Sequence, residues 1–206
     1  MPSRRLAAAL LACTAVAFLP ARTAFAQNAL TLYGGYAWGG TFDQVTGGTT
    51  ANADLSSSFA GAASIDWALD AARNVQLFAS GQRTTLQLAS SSPSSIDMGL
   101  YYLHFGGSNF FEGRAGQGGY VAGGIGATLM SPGTSGLNSE VRPSMSLALG
   151  YEHALTPSVA LRGELRGYAT LINSGGGFFC SGGCVVSIHG DAMFQAEALL
   201  GLSMRF

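Results

Sequence analysis

Hydrophobic and polar residues alternate along most of the chain from residue 29 onward, with a period of two. The last segment shows this most clearly, because even-numbered positions from 194 to 206 hold only Phe, Ala, Leu and Met, whereas Gln195, Glu197, Ser203 and Arg205 lie among the odd ones. A strand puts such residues on opposite faces, whereas a helix would scatter the polar ones around its circumference. The pattern therefore predicts a β-strand that ends at Phe206.

The same alternation predicts seven further strands, some of them diluted by Gly and Ser. We place them at residues 29–38, 57–69, 74–86, 96–111, 119–129, 141–153 and 159–170. Long links alternate with short ones, and the short ones lie near residues 70–73, 112–118 and 156–158. With eight strands, both ends of the folded chain lie on the side of the short turns. This is the topology of a bacterial outer-membrane barrel.

The composition explains why such a chain is hydrophobic without a membrane helix. Charged residues make up 10% of the sequence and hydrophobic residues 48%, and the mean hydropathy is +0.28. Soluble domains carry about 25% charged residues, and a disordered chain needs still more charge and less apolar content. The formal net charge of -1 gives no electrostatic reason to bind nucleic acid. We therefore expect no nucleic-acid partner.

The longest apolar run lies at the extreme N-terminus and has the features of a targeting segment. Residues 6–19 follow Arg4 and Arg5, and Pro20 ends the run. The run is shorter than the roughly 20 residues of a transmembrane helix. The sequence Ala-Phe-Ala ending at Ala26 offers the small residues that a signal peptidase requires. The pattern predicts a secretory signal peptide that is cleaved after Ala26.

Two segments follow from this prediction: a signal peptide over residues 1–26 and a barrel over residues 27–206. The barrel retains 7 Arg and 11 acidic residues, which gives a net charge of 7 − 11 = −4. An alternative is lipidation at Cys13, because the preceding Leu-Leu-Ala is similar to a lipoprotein cleavage box.

A bilayer explains the alternation physically. Backbone groups in hydrocarbon must all be paired, so a sheet there closes on itself, with apolar side chains toward lipid and polar ones inside. We therefore predict an all-β fold, an eight-stranded antiparallel up-and-down transmembrane β-barrel. The alternative is a soluble secreted barrel with charges outside, for which one or two ions per strand would make a thin polar surface.

Two glycine-containing segments carry a family resemblance. Residues 119–126 read Gly-Tyr-Val-Ala-Gly-Gly-Ile-Gly, and residues 201–206 read Gly-Leu-Ser-Met-Arg-Phe. Together with the strand pattern, they resemble the eight-stranded outer-membrane barrel superfamily of the OmpA transmembrane domain and OmpX. The resemblance implies a location in the outer membrane among lipid and lipopolysaccharide. It also implies that Phe206, Met204 and Leu202 form the signal that the barrel assembly machinery reads.

The parity of each strand predicts which charges face the lumen. Four acids and four arginines are assigned there: Asp66, Arg142, Glu152, Arg162, Glu164, Arg166, Glu197 and Arg205. Side chains largely fill an eight-stranded barrel, and unpaired charges inside would be costly. We predict a salt-bridged polar plug centred on Arg162, Glu164 and Arg166, facing Glu197. The alternative is a narrow porin-like channel, although a selective pore would more naturally carry an excess of one sign.

A second alternative is a lipid A-modifying enzyme. His104, Ser108 and Asn109 invite comparison with the His-x-Ser-Asn motif of lipid A deacylases. Three residues rather than one separate His104 from Ser108, and this strand runs away from the outer leaflet. We therefore predict no catalytic residues and no enzymatic activity.

Two cysteines remain after removal of the signal peptide. Cys180 and Cys184 lie in the longest link and flank Ser-Gly-Gly. In an oxidising compartment this spacing predicts a disulfide. A metal site that adds His189 and Asp191 is the chemical alternative.

The sequence thus predicts a non-enzymatic outer-membrane barrel that supports the envelope or presents its loops to other surfaces. No cofactor or metal is expected, and the protein is expected to be a monomer. The Gly/Ser/Thr-rich loops offer a surface to an extracellular partner, whose identity nothing in their sequence indicates.

Overall fold

The structure is a computed structural model that describes residues 28–46, 49–88, 95–112, 114–133, 137–172, 177–180, 184–187 and 192–206, with backbone only at 41–53, 88, 177–180 and 184–187. It consists of twelve strands: β1 (Ala29–Gly39), β2 (Thr41–Thr46), β3 (Thr49–Leu55), β4 (Ser58–Ala68), β5 (Arg73–Leu88), β6 (Ser95–Phe110), β7 (Gly118–Pro132), β8 (Glu140–Ala154), β9 (Val159–Leu171), β10 (Gly177–Cys180), β11 (Cys184–Ser187) and β12 (Ala192–Arg205). Within these ranges there is no helix long and apolar enough to cross a membrane.

Eight of these strands close into an antiparallel barrel. The strands β4 to β9 pair in chain order, β1 pairs with β4, and β12 pairs with both β9 and β1. Each of these eight strands therefore pairs with the barrel strands that precede and follow it in the chain, and β1 closes the ring with β12. The predicted eight-stranded up-and-down barrel is confirmed.

The register of the pairs determines the tilt of the strands. A path of cross-strand partners that leaves β1 at Ala29 returns to β1 at Gly39, passing through Asp66, Gln76, Gly106, Gly124, Ser146, Tyr168 and Gln195. This displacement of ten residues corresponds to a tilt of about 40°, with a rise of about 3.3 Å per residue and strands about 4.8 Å apart.

Away from the end that carries the long links, polar and apolar side chains are distributed in the opposite way to a soluble protein. Phe59 is 84% exposed and Leu147 is 65% exposed on the outer wall, whereas Arg162 and Arg166 are each 1% exposed inside. Along most of each strand, inward residues alternate with outward ones, as the burial patterns of β6, β8, β9 and β12 record. Such a wall is suited to hydrocarbon, because its exposed side chains are mainly apolar.

The two ends of the barrel differ. At the turn end, β4–β5 and β8–β9 are joined by short turns that one side chain closes in each case. Asp70 accepts hydrogen bonds from the backbone amides of Ala72 and Arg73, at 2.9 and 2.8 Å, and Thr156 Oγ1 accepts from the amide of Val159 at 3.0 Å. Asp and Thr favour such turns because their side chains can bond the backbone locally.

The opposite end, the loop end, carries the long links. The segment between the first two predicted strands forms a hairpin, β2–β3, rather than an irregular connection. Gly39 and Gly40 have φ of 86° and 97°, which a side chain rarely permits, and they separate β1 from β2. The β2–β3 hairpin stays in the same sheet, because β3 pairs with β5. The last long link contains a second hairpin, β10–β11.

Candidate functional site

The lumen contains an ionic network near the turn end. Arg162 Nη1 lies 2.9 Å from Asp66 Oδ2 and 4.0 Å from Glu152 Oε2. Arg205 approaches the same Glu152 carboxylate at 2.9 Å and also donates to the carbonyl oxygen of Gly116. Asp66, Glu152 and Arg162 are buried, so their charges depend on one another rather than on bulk water.

A second ion pair lies deeper in the barrel. Arg166 Nε donates to Glu164 Oε1 at 2.7 Å, and its two terminal nitrogens donate to Ser146 Oγ and Gln76 Oε1, each at 3.0 Å. The guanidinium also lies over the ring of Phe78, with 3.8 Å between its central carbon and the ring centroid. Each nitrogen of this buried cation therefore has an acceptor, as a desolvated arginine requires.

Tyr120 joins the two ion pairs. Its hydroxyl accepts a hydrogen bond from Arg162 Nε at 2.7 Å and donates one to Glu164 Oε2 at 2.7 Å. Gly150 makes room for it, because a β-carbon at that position would overlap the Tyr120 ring. The network is thus continuous from the turn end to the middle of the lumen.

Glu197 is bound differently from the way the sequence suggests. It is the cross-strand partner of Arg166 in the register of β9 and β12. Its carboxylate, however, accepts hydrogen bonds from Ser80 Oγ at 2.7 and 3.0 Å and from the Tyr168 hydroxyl at 2.7 Å. The Tyr168 ring stacks on Tyr102 with 4.0 Å between centroids. Glu197 therefore belongs to a hydroxyl-rich layer that lies on the loop-end side of the ion pairs.

Two of the predicted lumen charges, Arg142 and Arg205, lie at opposite rims of the barrel. Arg142 pairs with Glu140 at 2.6 Å at the loop end, where both side chains are about one-fifth exposed, at 22% and 20%. Arg205 lies at the turn end, where its side chain is 12% exposed. Of the eight predicted residues, the structure brings six into one chain of contacts: Asp66, Glu152, Arg162, Glu164, Arg166 and Arg205.

The loop-end half of the lumen is mainly apolar, which the alternation along the sequence did not predict. Buried side chains from several strands pack together there, among them Leu55, Leu86, Ile96, Met98, Leu100, Met130, Ile172 and Met193. On the outside of the same segments, Arg83, Gln87 and Asp97 are exposed. The loop end is thus built like a soluble barrel, with apolar residues inside. A polar lumen describes the turn-end half only.

His104 has a partner that the sequence did not reveal. Its Nε2 lies 2.8 Å from Ser144 Oγ on β8, and both residues are buried. Ser108 instead bonds Asn74, at 3.4 Å, and Asn109 is exposed. His104 Nδ1 has no hydrogen-bond partner among the described residues, so no acid orients this ring as in a catalytic triad. The three residues compared with the deacylase motif do not form one cluster.

The remaining predicted residues are located as follows. Leu202, Met204 and Phe206 lie on the outer wall and are 51%, 45% and 74% exposed. Cys180 and Cys184 are cross-strand partners in β10–β11, and their side chains, like His189 and Asp191, lie outside the described residues. Elsewhere in the described part of the chain, no three His, Cys, Asp or Glu side chains are grouped as metal ligands would be. The predicted signal peptide, residues 1–26, also lies outside the described residues.

Comparison with known proteins finds similarity in structure alone. No protein-family model and no curated protein matches the sequence. Neisserial surface protein A matches with a TM-score of 0.52 and 13% identity, over 89% of this chain and 98% of that one. The outer membrane protein AlkL gives 0.52 and 17%, over 91% and 95%. OprG of Pseudomonas aeruginosa gives 0.52 and 12%, over 87% and 96%. The chain therefore has the fold of the eight-stranded outer-membrane β-barrels.

Proposed function

We propose that the protein is a non-enzymatic barrel of the bacterial outer membrane, without a continuous channel, that supports the envelope or presents its loops outward. The apolar outer wall supports a membrane location, since Phe59 and Trp67 are eight residues apart on β4. That separation is about 26 Å along the strand and roughly 20 Å in height at a tilt of about 40°. The height is comparable with the apolar band of about 25 Å in such barrels.

The observation that carries the closed state is that two different layers fill the lumen. The ionic network crosses the turn-end half, and Arg162 and Arg166 in it are each 1% exposed. The apolar cluster crosses the loop-end half, where Leu100 and Met130 are fully buried. Ions that crossed the barrel would have to break buried ion pairs and then pass an apolar layer. Both steps are costly for a charged solute.

Conductance across a planar bilayer tests this proposal. The purified barrel should give no stable single-channel steps, and neither should Glu164→Gln, because apolar side chains still fill the loop end. Stable steps in the wild type, with an amplitude altered by Glu164→Gln or Arg166→Gln, would contradict the closed lumen. Location is tested separately by cell fractionation and by the change in gel migration on boiling. Recovery of the protein in the periplasmic fraction, with the same gel migration before and after boiling, would contradict an outer-membrane barrel.

A narrow channel is the second candidate, and one cavity favours it. A space of about 740 Å³ enters from the turn end and is lined by Asp66, Asn74, Arg114, Arg162 and Arg205 among others. It reaches into the barrel as far as Arg162. Conduction would still require the deeper Arg166–Glu164 pair and the loop-end half to open. A wild type that conducts in short bursts would favour this candidate.

A further inference from the structure

One arginine on the outer wall, Arg83, has Asp97 of β6 as a diagonal neighbour on the same face but does not pair with it. Arg83 is exposed on β5, and its neighbour Gln82 is buried in the lumen. Among the described residues no acid lies within 4.0 Å of its guanidinium, whereas Arg73 on the same strand pairs with Asp70 at 2.5 Å. A cation on a wall of this kind needs an anionic partner or water nearby.

Aromatic side chains surround this arginine. A surface cleft of about 720 Å³ is lined by Tyr36, Phe59, Gly81, Arg83 and Tyr101, together with Ser57, Ser58 and Gln82. Tyr36 and Phe59 meet edge to face with 5.6 Å between ring centroids. The cleft therefore combines one guanidinium, several hydroxyls and apolar ring faces, which is the chemistry of an amphipathic ligand.

The cleft lies at the level where the outward side chains of β5 change from apolar to polar. Below Arg83, the outward positions of β5 are Leu77, Ala79 and Gly81, and above it they are Thr85 and Gln87. Tyrosine and tryptophan mark such boundaries, where headgroups meet hydrocarbon. The position of Arg83 thus coincides with the level of lipid phosphates rather than with the hydrocarbon interior.

The wall immediately beneath the cleft is recessed. Gly34 and Gly61 are cross-strand partners, and Gly61 pairs in turn with Gly81. A β-carbon added at Gly34 or Gly61 would meet nothing within 4 Å. An acyl chain could therefore lie against the sheet directly below the charged group.

We infer that Arg83 and this aromatic cleft bind a phosphorylated lipid of the outer leaflet, with its phosphate on the guanidinium and an acyl chain over the glycine recess. Arginine suits this role because its planar guanidinium can bind two phosphate oxygens at once. The inference rests on the proposed function, which places the loop end at the cell surface. There the phosphorylated lipid is the lipid A of lipopolysaccharide, and we commit to it as the occupant.

Native mass spectrometry of the purified barrel in detergent, titrated with bisphosphorylated lipid A, tests the inference. Arg83→Gln should weaken binding about tenfold, because a charge-assisted hydrogen-bonded contact is lost. Arg83→Lys should weaken it less, since the charge remains without the planar fork. Arg73→Gln is the matched control, because it removes the same charge from the other end of β5, and it should change binding less than about twofold.

Two further probes identify the ligand chemistry. Lipid A from which both phosphates have been removed should bind the wild type and Arg83→Gln with the same affinity. Inorganic phosphate alone, at millimolar concentration, should not displace the lipid. Displacement by inorganic phosphate would overturn the lipid assignment in favour of a simple anion site, and equal lipid A binding by wild type and Arg83→Gln would overturn the site itself.

The fold of every variant is checked by the change in gel migration on boiling. The inference would be refuted, and the proposed function left standing, by one combination of results. The barrel would be intact, located in the outer membrane and non-conducting, and Arg83→Gln would leave its lipid A affinity unchanged. A barrel that conducts ions and whose lipid A affinity depends on Arg83 would refute the proposed closed lumen and support this inference.

Discussion

Removing the deepest arginine of the lumen should destabilise the barrel more than any rim charge does. Arg166→Met keeps most of the side-chain length but deletes three hydrogen bonds, to Glu164, Ser146 and Gln76, each of 2.7 to 3.0 Å. It also removes the guanidinium that lies 3.8 Å from the centroid of Phe78. The Glu164 carboxylate would then keep the Tyr120 hydroxyl but lose its nearest cation, and it is only 5% exposed.

The magnitude follows from leaving that carboxylate without its arginine. Breaking a buried ion pair from one side costs about 3–5 kcal/mol. We expect the lower part of this range, because Arg162 Nη2 remains 3.9 Å from Glu164 Oε2 and compensates part of the carboxylate's charge. Glu164→Gln in the Arg166→Met background should recover about half of the loss, because it removes a buried charge that has lost its nearest cation but does not restore the missing hydrogen bonds.

Reversible urea unfolding from lipid vesicles, followed by fluorescence of Trp38 and Trp67, measures the free energy of unfolding. Arg73→Met is the matched control, since its pair with Asp70 has side chains 61% and 39% exposed. Exposed pairs contribute about 0–1 kcal/mol. If the free energy of unfolding of Arg166→Met lies within about 1 kcal/mol of the wild-type value, the ion pair in the middle of the lumen does not stabilise the barrel as we argue.

Other features make further predictions. Gly150→Ala should cost about 1–3 kcal/mol, because the new methyl group displaces the Tyr120 ring, whereas Gly61→Ala, which meets nothing within 4 Å, should unfold like the wild type in the same assay. Equal effects of the two would argue against a packed lumen. Cys180 and Cys184 should resist alkylation until a reductant is added, because cross-strand partners lie about 4.5–5.5 Å apart at Cα, within the range of a disulfide. Mass spectrometry of the peptide that contains both cysteines measures their alkylation. Two alkylated thiols in protein that has not been reduced would exclude the disulfide.

The face of each lumen charge could be predicted from the sequence, but its partner could not. Strict alternation on β9 puts Arg162, Glu164 and Arg166 inside, where the structure has them. Partners depend on the register of distant strands and on side-chain reach. Glu197 bonds Ser80, 117 residues away in sequence, although its cross-strand partner in the register is Arg166. Alternation carries no information about such a choice.

The apolar half of the lumen was missed for a different reason, and the reason shows how to detect it. The rule that apolar side chains face outward holds only where lipid surrounds the wall. On β6, the inward positions change from His104 and Tyr102 to Leu100, Met98 and Ile96 toward the loop end, while an outward position there holds Asp97. The period of two continues, but the polar residues move from one face to the other. That change of face within a strand marks the point where the barrel leaves the bilayer, and it lies level with Arg83, the cross-strand partner of Gly99. Low overall charge and the closed lumen that we propose therefore have separate origins: lipid excludes charge from the lower wall, and an apolar core of the soluble kind would close the upper end.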